Sequence, residues 1–201
     1  MKRVILIVVF SFSLFTGLGL SHAVDIEGVR VEGQITLSGG AQLILNGTGV
    51  RQQLTFPKQY VGALYLAKKQ KDPTEIFKDG GAMRIAMFVL ADEIKVAQLV
   101  ASMNNSLAVN HVPAELAPIE SRLQDLNRMM LAVGVLKKGA VVTISYQPAT
   151  GTHISINSEE KLVIKGEDFF KALLRIWIGR KPVDGRLRDA LLGGAGNFTL
   201  F

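Results

Sequence analysis

Arg51 closes the segment Gly47-Thr48-Gly49-Val50-Arg51, and a few residues later the chain enters an apolar run, Tyr60-Val61-Gly62-Ala63-Leu64-Tyr65-Leu66. A guanidinium beside such a run, if turned into an apolar space, must find an anion or several acceptors, because an unpaired buried charge is costly. A ligand carboxylate would satisfy it through two parallel N–H···O bonds. An internal acid or exposure to water would do so too, and the local sequence leaves all three open. The paired glycines lack the third glycine of a dinucleotide fingerprint and the Gly-Lys-Ser/Thr of a P-loop, which argues against a phosphate cradle.

Other reactive residue types form no constellation. His22 lies in the N-terminal apolar segment, and His111 and His153 have no second ligand at helical or hairpin spacing, so no metal site is expected. No Gly-x-Ser-x-Gly elbow leads into a helix, and the acidic residues have structural explanations at helix starts and on polar faces. Zero cysteines remove disulfide, thiolate and Cys–zinc chemistry. No catalytic residue and no cofactor are therefore assigned. Lys68-Lys69-Gln70-Lys71 and Lys137-Lys138 lack interleaved aromatics and belong to no binding module, so nucleic acid is not an expected partner.

The elements around Arg51 follow from periodicity. Val24, Ile26, Val29, Val31, Ile35, Leu37, Leu43 and Leu45 alternate with polar or small residues, with a turn at Ser38-Gly39-Gly40. Tyr60–Leu66 and Met83–Leu90 are continuous apolar runs, as strands covered on both faces or lining a cavity would be. Asp72-Pro73-Thr74-Glu75 has the cap, proline and acid of a helix start. Asp92 is expected to cap a second helix, whose Val96, Leu99, Val100, Met103 and Leu107 share one face. Leu116, Ile119, Leu123, Leu126, Met130 and Val133 repeat the pattern in a third, with Pro118 limiting its early regularity. Strands follow at 140–146, 153–157 and 162–164, then a helix from Glu167 that stops at Gly179. This order indicates an α+β domain with a largely antiparallel sheet and helices on one side.

At the N-terminus, Lys2-Arg3 precede an apolar run from Val4 to Leu20 that ends in Ser21-His22-Ala23. This is the layout of a secretory signal cleaved after Ala23, giving residues 1–23 as signal and 24–201 as one domain with no stable membrane span. Losing Lys2 and Arg3 would take the net charge from +6 to +4.

Three segments carry a family resemblance: Leu45-Asn46-Gly47-Thr48-Gly49-Val50-Arg51, Gln59–Leu66, and the stretch Ile164–Gly193 containing Trp177-Ile178-Gly179-Arg180-Lys181-Pro182-Val183. With them the chain resembles the chalcone isomerase-like family, in a bacterial exported branch, related to plant isomerases and fatty-acid-binding proteins. The resemblance implies an open-faced β-sandwich, a large antiparallel sheet covered by a layer of helices, with a ligand cleft between them. It also implies a role for Arg51, which matches an arginine used by both plant groups. Tyr60 stands at the isomerase threonine position, and the other isomerase polar positions fall near Asp92, Leu99 and Ile176, with no obvious replacement set. Arg51 and Tyr60 instead match the pair that holds a carboxylate in the fatty-acid-binding relatives, whereas alternation turns Tyr65 to the opposite face. The resemblance thus implies a periplasmic, non-catalytic binder of a fatty acid or similar apolar carboxylate. An intramolecular lyase acting on a flavonoid-like or enone substrate is the first alternative. An envelope interaction module docking through the tail Gly193–Phe201 is the second, and its protein partner is not identified by the sequence.

Overall fold

The computed structural model describes residues 23–52 and 57–194. The expected signal, apart from Ala23, and the tail beyond Gly194 lie outside the described residues. In chain order the first elements are β1 (Val24–Ile26), β2 (Val29–Val31), β3 (Gln34–Thr36), β4 (Gln42–Arg51) and β5 (Tyr60–Leu66). Helix α1 (Pro73–Lys78) and strands β6 (Met83–Val89) and β7 (Glu93–Lys95) come next. Helices α2 (Val96–Asn110), α3 (Pro113–Leu116) and α4 (Glu120–Val133) lead to β8 (Val135–Lys137). The chain continues through β9 (Val141–Gln147), β10 (Gly151–Ile156), β11 (Glu159–Ile164), α5 (Glu167–Ile178) and α6 (Gly185–Leu191).

Seven strands form one antiparallel sheet in the order β11-β10-β9-β6-β5-β4-β3. Strand β5 lies inside this sheet and is buried at every position. Its even-numbered Tyr60, Leu64 and Leu66 join the larger core beneath the helices, while Val61, Ala63 and Tyr65 join a smaller one with Ile26 and Val31 of the β1–β2 hairpin. Two-residue periodicity with an apolar cover on each side explains why the run shows no polar alternation. The Tyr65 hydroxyl donates to the Glu32 carbonyl at 2.9 Å, on the face opposite Tyr60.

The α+β architecture expected from the element order is the one observed: a large antiparallel sheet with its helical layer on one face. One local expectation needs correction. Asp92 does not cap α2, because Glu93–Lys95 pair with β8, and the Val96 amide opening the helix donates to the Gly134 carbonyl at 2.9 Å. A tertiary backbone acceptor replaces the side-chain cap. The chain also forms a further helix after Gly179: the Asp184 side chain accepts from the Leu187 amide at 3.1 Å and starts α6. With seven residues, α6 is too short for periodicity to reveal it, and it is held by packing against β4.

Candidate functional site

The face on which Arg51 lies is set by a one-residue irregularity in β4. Leu45 pairs with Tyr65 and Gly47 with Leu64, leaving Asn46 as an extra residue. Leu43 and Leu45 therefore pack into the smaller core, whereas Gly47, Gly49 and Arg51 turn toward the helices. Uninterrupted alternation would have kept all five on one side, because a single-residue shift exchanges the faces of a strand. Asn46 is 4% exposed and its amide is fully used. It donates to Leu191 and Gln70 carbonyls at 2.8 and 2.9 Å and accepts from the Gln70 amide at 2.8 Å.

Helix α6 lies directly on this part of the sheet. A Cβ at Gly47 would run into the Ala190 carbonyl, and one at Gly49 would stand 2.6 Å from Ala190 Cβ. The paired glycines thus make room for a helix. Asp184, besides capping α6, accepts from the Gln52 amide at 3.2 Å, tying the helix start to the end of β4 beside Arg51.

Arg51 and Tyr60 are cross-strand partners at the start of β5, 5% and 2% exposed respectively. The guanidinium carbon lies 5.6 Å from the Tyr60 ring centroid, within cation–π range. Arg51 Nη2 donates to Ser102 Oγ at 3.1 Å, while its buried Nε has no partner among the described residues. Nor does any described acid form an ion pair with it. Trp177 Nε1 donates to Tyr60 Oη at 3.0 Å in a buried bond. Burial pushes the Tyr60 phenol above its ordinary pKa, opposed by the Arg51 charge and then by the Trp177 hydrogen bond.

These four side chains border a cavity whose other lining residues are all apolar, among them Met87, Leu99, Met103, Leu126, Met130 and Ile154. Its free volume is about 40 Å³. That is small against the roughly 300–1,000 Å³ of typical small-molecule pockets. Chemically, the cavity offers a buried cation and hydroxyls bordering an apolar space.

Leu99 and Ile176 line the cavity, but Asp92 does not; its carbonyl instead accepts from the Lys138 amide. His111 and His153 also lie elsewhere, near the Leu107 carbonyl and between Thr150 and Glu160 respectively. Sequence reasoning missed Ser102 and Trp177. Ser102 follows Leu99 by three residues and is therefore a polar residue on an apolar helix face, a signal that was available. Trp177 reads as one more core aromatic until the Tyr60 hydroxyl is placed beside it. No group of three or more metal-binding side chains occurs among the described residues.

Fold and site together define a class: an antiparallel sheet under a helical layer, with a small apolar cavity bordered by a buried arginine and tyrosine. The chain belongs to the chalcone isomerase-like family, whose model matches residues 23–193. Among solved structures it is similar to the crystal structure of an Arabidopsis thaliana fatty-acid binding protein, at 14% identity and a TM-score of 0.61. The match covers 85% of this chain and 96% of that one. No curated protein sequence matches the chain.

Proposed function

We propose that this chain is an exported, non-catalytic binding protein for a fatty acid or similar apolar carboxylate, working in a bacterial periplasm. One observation carries the reading: Arg51 is buried beside an apolar cavity and, among the described residues, has no acid partner and one unsatisfied nitrogen. A buried guanidinium without a counter-charge is costly, and an acceptor-only carboxylate is the simplest group that would relieve it while its chain lies among apolar residues. The Tyr60 phenol, facing the same cavity, can donate to the second oxygen. The Arabidopsis protein of the same fold is a fatty-acid binding protein, which supports this ligand class. Export rests on Lys2-Arg3, the apolar run to Leu20 and the Ser21-His22-Ala23 ending.

Native mass spectrometry of protein purified from an expressing bacterium tests the reading. A co-purifying long-chain acid is expected, and Arg51→Ala should weaken dodecanoate binding about 10- to 100-fold, the range for losing a hydrogen bond to a charged group. Purified protein that binds no long-chain acid would overturn it, as would an Arg51→Ala variant with an unchanged ligand profile.

A further inference from the structure

The polar atoms around the cavity are arranged unevenly between donors and acceptors. An indole N–H and a guanidinium can only donate, whereas a hydroxyl gives one proton and offers two lone pairs. Trp177 Nε1 gives its proton to Tyr60 Oη at 3.0 Å, and Arg51 Nη2 gives one to Ser102 Oγ at 3.1 Å. Both hydroxyl oxygens in the lining thus already accept from donor-only groups. No described hydrogen bond has Tyr60 Oη as its donor, and with the residue 2% exposed the indole on one lone pair directs the phenol proton away from itself. The cavity presents donors to whatever enters.

We propose that Trp177 is a positioning residue: its N–H holds Tyr60 as a donor toward the cavity, making the site select carboxylates over ligands that bring a donor of their own, such as alcohols. This rests on the carboxylate-binding reading above. A carboxylate accepts from Arg51 and Tyr60 together. An alcohol of the same chain length has one neutral oxygen to set against both donors, loses the charge assistance of the Arg51 contact, and brings a proton that must compete for the one lone pair left on each hydroxyl. Trp177 can hold this geometry because it is 5% exposed on α5, between the buried Ile176 and Ile178.

The experiment compares dodecanoate and dodecanol binding by calorimetry at pH 8. The wild-type protein should prefer dodecanoate, Trp177→Phe should lower that preference about tenfold, and Trp177→His, whose ring N–H can donate, should retain most of it. Tyr60→Phe should lower it equally, with no further loss in the Trp177→Phe, Tyr60→Phe double variant. Trp177 is the chain's only tryptophan, so one indole N–H resonance reports the contact without any change at that position. It should shift on adding dodecanoate and in Tyr60→Phe. If dodecanoate binds in an Arg51-dependent way but Trp177→Phe keeps the preference, the inference alone fails. An indole resonance unmoved by dodecanoate also sinks it, including where Trp177→Phe does not fold. A wild-type protein that binds neither probe overturns this inference and the carboxylate reading together.

Discussion

Under the proposed function, Arg51 would set stability against binding at a single residue. Its guanidinium is 5% exposed and, among the described residues, has one hydroxyl partner, the Tyr60 ring beside it and one unpartnered nitrogen, so no described counter-charge compensates it in the ligand-free fold. Arg51→Met should therefore raise the ligand-free stability by about 1–2 kcal/mol, in the direction seen when buried charges give way to apolar groups of similar size. The same variant should lose dodecanoate binding. Denaturant unfolding and calorimetry would show whether the two effects move in opposite directions. Three phenols, Tyr60, Tyr65 and Tyr146, are pushed upward by burial and make the fold sensitive to alkali. Tyr65 is pushed up to about 12 from its ordinary 10.0. Because the folded-state values are raised, the stabilising contribution is complete below about pH 10 and declines above it, that of Tyr65 being lost as pH rises through about 12. Thermal melts from pH 8 to 12 should show this decline, and Tyr65→Phe should flatten part of it.

Among the elements, the contact of α6 with β4 and β5 most directly supports the site. Gly47, Gly49 and Gly62 form the surface on which Ala190 and Leu187 rest, and Asp184 joins the start of α6 to Gln52 next to Arg51. Gly49→Ala would place a methyl 2.6 Å from Ala190 Cβ, and overpacking of this kind costs about 1–3 kcal/mol. The expected result is a lower melting temperature together with weaker ligand binding, since α6 would lift away from the end of β4. A Gly49→Ala protein with unchanged stability would show that the helix moves aside freely. The basic residues Lys78, Arg175 and Arg188 stand in the last turns of α1, α5 and α6, where cations complement the helix dipole. That explanation accounts for part of the positive charge without a polyanionic partner.

For the whole molecule, the question is how a cavity of about 40 Å³ would admit an acyl chain. Met87 from the sheet, Met103 from α2 and Met130 from α4 line it, and unbranched methionines change rotamer readily. The sheet side is fixed by interstrand hydrogen bonds, so the enlargement should come from α2 and α4 moving outward. Hydrogen exchange with and without dodecanoate should therefore differ mainly in α2 and α4 and little in β4–β6. Changes spread evenly through the sheet would count against this opening. Each methylene buried should add about 0.8 kcal/mol to binding until the expanded cavity is full, so affinity across a chain-length series should rise and then level off.

The sequence by itself determined most of the element types, the antiparallel α+β class and the placing of Tyr65 opposite Tyr60, and it left β5 either covered on both faces or lining a cavity. Each depends on two- or three-to-four-residue periodicity or on local capping, and these act over one element. It also determined that Arg51 adjoins an apolar strand. Which face Arg51 occupies was decided only in three dimensions, because alternation from Leu43 and Leu45 points it away from the helices and the extra residue Asn46 reverses that. Asn46 is kept in place by Gln70 and Leu191, distant in the chain. Trp177 joined the site in the same way, through a contact 117 residues apart, whereas Ser102, 51 residues from Arg51, left a local sign as a polar residue on the apolar face of α2. Local pattern specifies what each segment forms. The donors that meet at the cavity depend on long-range packing, which leaves no periodic trace in the chain.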